Sequence, residues 1–164
     1  MKLRLNPEFG YRYLFVALLF AGMGGWFGYD GLVRYPRLSA AALYESIEKS
    51  PPPDTMTAER LEAFKAQKTK AQLGLMFALF GASVWVALVL ALAALRKFDF
   101  DEDGFTDGGV RHAFADVVEL DRRAWAKKGI LALKLKDGAR VKLDAWHHRG
   151  VKEFENLLKE KTGL

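Results

Sequence analysis

The sequence contains no cysteine, only three histidines and only five prolines, three of which stand together at residues 51–53. Without cysteine, disulfide bonds, thiol catalysis and cysteine-ligated metal sites are excluded, although the compartment is not identified. The net charge of +5 is thinly spread, since residues 96–164 carry 15 Lys and Arg against 13 Asp and Glu. A surface for duplex nucleic acid needs a concentrated basic face, so that class of partner is not indicated.

Charged side chains are missing from two apolar segments, residues 13–29 and 71–95. A helix over 71–95 would be about 37 Å long, enough to cross a hydrocarbon core about 30 Å thick. The first segment is shorter, and basic residues before it leave a cleaved signal peptide as an alternative. The aromatic residues that continue the apolar run as far as Tyr29 favour a retained membrane helix.

These spans predict a chain of five segments. Lys and Arg are equally frequent at the two membrane faces, so orientation depends on the first helix and on Arg96 and Lys97, which directly follow the second span. We expect an inner (plasma) membrane protein of bacterial type with both termini in the cytoplasm. The predicted segments are a cytoplasmic N-terminal tail (1–12), transmembrane helix 1 (13–29), an extracytoplasmic helical hairpin or loop (30–70), transmembrane helix 2 (71–95) and a cytoplasmic β-rich domain with a C-terminal helix (96–164).

Small residues recur within both spans at spacings that let helix backbones approach closely. One interpretation is a packing face for self-assembly or for another membrane protein. The alternative is that the two spans pack against each other. The residues concerned are Ala21, Gly24, Gly25, Gly28, Gly74 and Gly81.

The segment between the spans has local signals for two helices. Residues 35–37, which contain a proline, predict a turn, and Ser39 is a candidate N-cap for the helix that follows. Pro51–Pro53 would end that helix, and a second helix is expected from about Thr57 to Leu95. Few apolar residues are available for contact between these two helices: Leu43, Ile47, Leu61 and Phe64. The hairpin is therefore expected either to be flexible or to be stabilised by contact with another protein.

Beyond residue 96 the hydrophobic period changes to that of β-strands. A three-residue loop over 136–138, with Gly138 in the left-handed conformation, predicts that Leu133 pairs with Val141. Residues 114–121 offer a third strand, and residues 96–111 a hairpin that leads into it. Val151, Phe154, Leu157 and Leu158 form one face of a C-terminal helix. The predicted fold class is a two-span α-helical membrane hairpin plus a small α+β domain.

This order of elements, with the segment 125–130 and Trp146 after the second strand of the hairpin, resembles the small PH-like domains that are attached to transmembrane helices in bacteria. The resemblance covers about residues 97–162, which are few for the seven strands of the PH pattern. It implies an antiparallel-sheet scaffold for protein or membrane contacts. It implies no catalytic residue.

An Asp-rich stretch is the candidate metal site. Asp99, Asp101, Asp103 and Asp107 match calcium-ligand positions of an EF-hand loop, but the last position holds Val110 in place of the bidentate glutamate. A solvated turn rich in Asp and Gly explains the same letters. We therefore expect no metal or other cofactor, with a calcium site as the alternative.

The remaining histidines and carboxylates are interpreted as structural residues and not as metal ligands or catalytic groups. His147 and His148 are adjacent, so on a strand they would point to opposite sides. Carboxylates at Asp116, Glu119, Asp121 and Asp144 are interpreted as the polar face of a sheet rather than as an acid pair. A candidate contact for a partner or a lipid headgroup consists of Trp125, Lys127, Lys128 and Trp146.

We therefore expect a non-enzymatic membrane protein that anchors a small interaction module, as a structural or assembly subunit of a larger membrane complex. Its expected partners are membrane lipid, other membrane proteins or further copies of the chain. The alternative is a sensor whose soluble domain binds calcium or anionic lipid headgroups.

Overall fold

The computed structural model describes residues 1–163. It divides into two compact units. The first, here called the sheet unit, combines Met1–Leu14 with the residues from Leu88 onward. The second, here called the helical unit, is Phe15–Ala87. Residues near the start of the chain therefore belong to the same unit as the residues that follow the second apolar segment.

Two helices are long and apolar enough to cross a membrane by length and composition. Asn6 caps the first of them, because its side-chain oxygen accepts a hydrogen bond from the Glu8 N–H at 3.2 Å and Pro7 occupies the first helical position. This helix begins six residues earlier than the predicted span. The helical elements up to residue 95 are α1 (Pro7–Tyr29), a π-helix (Asp30–Arg34), α2 (Tyr35–Arg37), α3 (Ala40–Glu48) and α4 (Ala58–Leu95).

The predicted turn at residues 35–37 is wrong, because the chain stays helical as far as Arg37. Pro36 lies in the first turn of α2, where its missing N–H is not needed. The chain turns at Leu38, whose backbone is extended with ψ of 145°. The predicted cap is confirmed one residue later, since the Ser39 hydroxyl accepts a hydrogen bond from the Ala42 N–H at 3.2 Å.

The break between α3 and α4 follows the prediction. Lys49 ends α3 in the left-handed conformation with φ of 59°, and the proline triplet follows it. Thr57 accepts a backbone hydrogen bond from Leu61 at 3.1 Å, and α4 then runs unbroken to Leu95. The two helices meet through the rings of Tyr44 and Phe64, whose centroids are 5.1 Å apart.

The strands form three small antiparallel sheets within the described residues. The elements that complete the fold are β1 (Arg4–Leu5), β2 (Phe98–Phe100), β3 (Gly104–Asp107), β4 (Val110–Ala113), a 3-10 turn (Phe114–Asp116), β5 (Val117–Asp121), α5 (Trp125–Lys128), β6 (Ile130–Leu135), β7 (Arg140–Asp144), β8 (His148–Arg149) and α6 (Val151–Thr162). Two of the sheets are three-stranded meanders, β2-β3-β4 and β5-β6-β7, and the third pairs β1 with β8.

The predicted register of the β6–β7 hairpin is confirmed. Leu133 is paired with Val141, and Gly138 has a positive φ of 87°. The Leu135 N–H donates to the Ala139 carbonyl at 2.9 Å, which closes the three-residue loop. The alternation of apolar and charged side chains therefore places Leu131, Leu133 and Leu135 in the core.

The first residues of the chain extend the β2-β3-β4 sheet. The Leu3 N–H donates to the Phe98 carbonyl at 3.0 Å, and the Phe100 N–H donates to the Met1 carbonyl at 2.8 Å. Lys2 and Asp99 form an antiparallel bridge between these bonds. Met1–Leu3 and β2 are therefore neighbours in space, although all the helices from α1 to α4 lie between them in the sequence.

Helix α6 closes the core of the sheet unit. Val151, Phe154 and Leu158 are buried and Leu157 packs against the core from a partly buried position, as the helical period predicts. The Phe154 ring lies within 6.1 Å of four other phenylalanine rings, centroid to centroid. The α+β prediction for this region is confirmed as antiparallel sheets with a C-terminal helix.

Candidate functional site

The four candidate calcium ligands are spread along the β2–β3 hairpin. Asp99 and Asp107 lie on its strands, and Asp101 and Asp103 lie in the turn between them. Among residues 1–163, no group of three His, Cys, Asp or Glu side chains lies close enough to hold a metal ion. Three of the four carboxylates have a cationic partner instead. The pairs are Asp99 with Lys2, Asp101 with Arg111, and Asp107 with Arg96.

Asp101 organises the turn. Its carboxylate accepts hydrogen bonds from the Asp103 N–H at 3.0 Å and from the Gly104 N–H at 3.1 Å. The hydrogen bond from the Arg111 guanidinium, helped by these backbone donors, lowers the pKa of Asp101 to about 2. Gly104 is required here because a Cβ atom would lie 2.2 Å from the His112 carbonyl oxygen on β4. The Asp and Gly of this segment thus have a structural role in the hairpin.

The acidic face of the second meander is also ion-paired. The Arg123 side chain hydrogen-bonds the Asp121 carboxylate and lowers its pKa to about 2. A shallow depression next to this pair, with a volume of about 80 Å³, is lined by both signs of charge, including Glu119, Lys134 and Arg140. Asp116 lies beside Lys136, and Asp144 beside His147. Glu119, Asp121 and Asp144 therefore lie on strands among basic side chains, whereas Asp116, also expected on the polar face of a sheet, lies in the 3-10 turn before β5.

The four residues of the Trp and Lys candidate contact differ in burial. Trp125 packs against the core from a partly buried position, whereas Trp146 is 42% exposed. Lys127 and Lys128 are exposed on α5. The Ala145 N–H donates to the Gly129 carbonyl at 2.9 Å, which holds the segment after β7 against the end of α5. Trp125 thus behaves as a core residue, and Trp146 has different neighbours.

Trp146 lies beside the start of α1. The Arg12 guanidinium carbon is 5.2 Å from the centre of its ring, a cation–π distance. Asn6 donates its side-chain N–H to the Trp146 carbonyl at 3.1 Å and its backbone N–H to the His147 carbonyl at 2.8 Å. The buried Phe9 ring contacts the His147 ring at a tilt of 52°, with the centroids 4.3 Å apart. The first turns of α1 are therefore fastened to residues 146–148.

The end of α4 is fastened to the same residues. The Nε2 atom of His148 is 3.0 Å from the Ala93 carbonyl oxygen, and this side chain is only 5% exposed. Because a carbonyl only accepts, Nε2 carries the proton in this contact. Burial lowers the pKa of His148, and its Nδ1 atom is buried without a hydrogen-bond partner. The predicted opposite orientation of the two histidines depended on both lying on a strand, but only His148 does, and the two rings lie 6.3 Å apart, centroid to centroid, at an angle of 78°.

Arg96 forms the next contact along the chain. Its Nη2 atom is 3.0 Å from Oδ2 and 3.2 Å from Oδ1 of Asp107, and its Nη1 atom donates to the Lys142 carbonyl at 2.6 Å. One guanidinium therefore binds both meanders at the point where α4 ends. We call the set Asn6, Arg96 and residues 146–148 the junction.

The glycines of the predicted packing face divide into two groups. In the helical unit, Gly24 lies against Phe80 and Gly28 against Met76, where added Cβ atoms would approach to 3.4 and 2.9 Å. The Ser83 hydroxyl donates to the Ala17 carbonyl at 2.8 Å. A Cβ atom added at Gly25, Gly74 or Gly81 would meet nothing within 4 Å. The α1–α4 contact therefore uses glycines of α1 facing large side chains of α4.

The junction contains residues that the sequence reasoning missed. Asn6 followed by Pro7 is a recognisable helix start, and it would have placed the start of α1 correctly. The partners of Arg96 and His148 have no such signal, because they lie 11 to 55 residues away along the chain.

Glu155, on the core side of α6, is 3% exposed and pairs with Arg122 and Lys159 at 2.7 and 3.0 Å.

No protein-family model matches the chain, and neither a curated protein nor a solved structure matches it. Its function is therefore inferred from its own residues.

Proposed function

We propose that the chain is a non-enzymatic integral membrane protein whose two spanning helices anchor a small interaction module. The supporting observation is the exposure of apolar side chains on α1 and α4. Within the described residues, no side chain of α4 is buried. Trp26, Phe77 and Trp85 are each at least 66% exposed. A core helix of a soluble protein would bury such residues, whereas lipid solvates them without cost.

The packing of the first helix supports its retention as a membrane span. Gly24 and Gly28 contact side chains of α4, and Ser83 bonds to the backbone of α1. In lipid, close approach at small residues and interhelical hydrogen bonds are what hold helices together. A cleaved signal peptide would leave these surfaces of α4 without their partner. We therefore favour a two-span protein with both ends in the cytoplasm.

The sheet unit is proposed to be a PH-like module. Its two meanders contain six strands, β1 and β8 form a further short pair, and the segment Met1–Leu3 bonds to β2 beside the first meander. Antiparallel meanders followed by α6 are the features that support the resemblance of residues 97–162 to the PH pattern, with added backbone pairing from the residues before the first helix. Such a module would serve contacts with proteins or with the membrane surface.

Participation in a larger membrane assembly is the next step of the proposal. Gly25, Gly74 and Gly81 are small residues with open space beside them, where the backbone of a partner helix has access. The partner is a second copy or another membrane protein. The calcium alternative has less support, because Asp99, Asp101 and Asp107 already pair with basic side chains.

Fractionation and site-specific labelling test the anchoring. The chain should stay in the membrane pellet after carbonate washing and require detergent for extraction. Because the sequence has no cysteine, Ser50→Cys and Glu160→Cys give unique labelling sites. A membrane-impermeant maleimide added to whole cells should label Ser50→Cys and leave Glu160→Cys unlabelled. Labelling of the second variant alone would reverse the orientation, and a water-soluble, detergent-free protein would overturn the proposal.

Assembly is tested separately, by native mass measurement of the full chain in mild detergent. A mass of two or more copies, or copurification of a stoichiometric membrane protein, is the expected result. Gly25→Leu should weaken that association. Met23→Leu is the control, since Met23 is exposed but, two residues before Gly25, lies on a different face of α1. A strictly monomeric chain with no copurifying protein would contradict assembly without affecting the anchoring.

A further inference from the structure

Two arginines face each other across the β1–β8 pair. Arg4 and Arg149 are directly opposite in the antiparallel register, and both are exposed. Directly opposed residues on antiparallel strands have Cβ atoms about 5 Å apart on the same face, and like charges in that position are destabilising. The fold keeps this pair although any uncharged residue would avoid the repulsion.

Among the described residues, no carboxylate oxygen lies within 4 Å of the Arg4 or Arg149 guanidinium. Other basic residues of the same unit do have one: Lys2 pairs with Asp99, Arg12 with Glu8, and Arg96 with Asp107. The opposed pair is thus set apart from neighbours that are neutralised within the chain. An anion from outside the chain would offset the repulsion.

The pair lies level with the ends of both long helices. Arg4 precedes the first residue of α1 by three positions. His148, which directly precedes Arg149, contacts the Ala93 carbonyl in the last turn of α4. Its side chain and that of Leu5 occupy the opposite face of the two-stranded ribbon, so the arginines point away from α4. If the helices span the membrane, this ribbon lies at the depth of the lipid headgroups.

We propose that Arg4 and Arg149 together bind the phosphate of an anionic phospholipid, a function that rests on the proposed membrane anchoring. Guanidinium groups present paired N–H donors that match phosphate oxygens, and two of them flanking one phosphate replace mutual repulsion by two attractive contacts. Headgroup phosphate is held at this depth by the bilayer itself, which favours lipid over free phosphate. Phosphatidylcholine also carries a phosphate, but its own trimethylammonium group offsets that charge, whereas the phosphate of an anionic lipid such as phosphatidylglycerol has no such group beside it. The site is separate from Lys127 and Lys128, which lie on α5.

The test uses the full chain in nanodiscs of phosphatidylcholine, with or without phosphatidylglycerol. The melting temperature of the wild-type protein should rise by about 4 °C or more with phosphatidylglycerol, because a ligand that binds only the folded state stabilises it. In R4Q/R149Q this rise should be lost, while in pure phosphatidylcholine the variant should melt at or above the wild-type temperature. The second result is specific, since a merely structural pair would destabilise when removed. The control K127Q/K128Q loses the same charge and should keep the rise.

Three results would overturn the proposal. One is an equal rise in R4Q/R149Q and in the wild type, and another is loss of the rise in K127Q/K128Q alone. The third is an equal rise when inorganic phosphate is added to phosphatidylcholine nanodiscs, which would assign the pair to a soluble phosphate. Failure of the anchoring proposal is distinguishable, because the chain would then not enter nanodiscs at all.

Discussion

The two units of this chain use the same kinds of side chain in opposite ways. In the sheet unit Phe98, Phe105 and Phe154 are at most 2% exposed, whereas in the helical unit Phe77 and Trp85 are at least 66% exposed. A sheet with a polar outer face needs its own core, because its surroundings are water. A helix surrounded by lipid needs none, and what holds it to a neighbour is close packing and a few hydrogen bonds. If α1 and α4 span a membrane as proposed, the burial of apolar side chains indicates how stable the sheet unit is. It does not indicate how stable the helical unit is.

The largest expected loss of stability comes from removing the Phe154 ring from the sheet unit. Phe154→Ala removes the side chain at the centre of the phenylalanine cluster and should destabilise the sheet unit by about 3–5 kcal/mol. Hydrogen exchange of β6 and β7 in the detergent-solubilised full chain measures this loss. Phe77→Ala removes the same ring from α4 and should leave both the exchange and the detergent extraction unchanged. Comparable losses in the two variants would contradict the division into a water-facing and a lipid-facing unit.

Arg96 tests whether a polar contact holds the sheet unit where α4 enters it. Arg96→Gln removes the contacts to Asp107 and to the Lys142 carbonyl and should cost about 1.5–3 kcal/mol, since a hydrogen-bonded charge is left without its partner. Chemical denaturation followed by tryptophan fluorescence measures it. Arg123→Gln breaks a pair whose arginine side chain is 88% exposed, and no change is expected there. An unaffected midpoint for Arg96→Gln would show that the junction tolerates its loss.

Substitution of Gly31 tests which contacts hold the helices of the helical unit together. A Cβ atom at this position would lie 2.9 Å from the Leu73 Cδ2 atom and 3.2 Å from the Gln72 Cβ atom. Gly31→Val should therefore weaken the α1–α4 contact by about 1–3 kcal/mol, as overpacking does. Titration of the micelles with dodecyl sulfate, followed by circular dichroism, reports the loss. Leu32→Val changes a neighbouring side chain that is 61% exposed and should behave like the wild type; equal loss in both would argue against this packing face.

The smallest effect depends on pH. His148 has a lowered pKa in the folded chain, so the folded state binds fewer protons than the unfolded state, whose pKa is about 6.5. Stability is then constant above that value and falls as the pH drops below it, by at most about 1.4 kcal/mol per pH unit. The groups that face the ring are Arg96, His147 and Asp144. Denaturation midpoints between pH 7.5 and 5 should fall less steeply for His148→Gln than for the wild type.

A matched histidine variant completes that experiment. His112→Gln changes a ring on β4 that lies 5.3 Å from Phe105, away from the junction. It should keep the wild-type slope. If both variants lost the slope equally, or neither did, the buried ring of His148 would not be the group responsible.

Local sequence signals predicted the parts of the fold that local physics determines. The Leu133 and Val141 register follows from alternation of apolar side chains plus one glycine in the loop, and both lie within a dozen residues. The Ser39 cap and the start of α4 depend on the residues immediately beside them. The turn expected at residues 35–37 was wrong for the same reason, because a proline in a first helical turn and a proline in a β-turn have similar neighbours.

Long-range pairing was not predictable. The segment before Asn6 has only five residues and no clear period, yet it pairs with β2 and β8, which lie roughly 95 to 145 residues further along the chain. The opposed arginines and the buried His148 follow from that pairing. The candidate residues that the sequence did suggest were chosen for composition, and the structure places them as turn, core and surface residues at different positions.

The strand segment Met1–Leu3 is made before both long helices, but its partner β2 is made after them. This segment therefore has no partner until both long helices have been synthesised, so the pairing that completes the sheet unit forms late. A fragment expressed from residue 97 onward would be a sheet with one exposed edge. A working soluble version would need residues 1–5 joined ahead of β2 by a short linker.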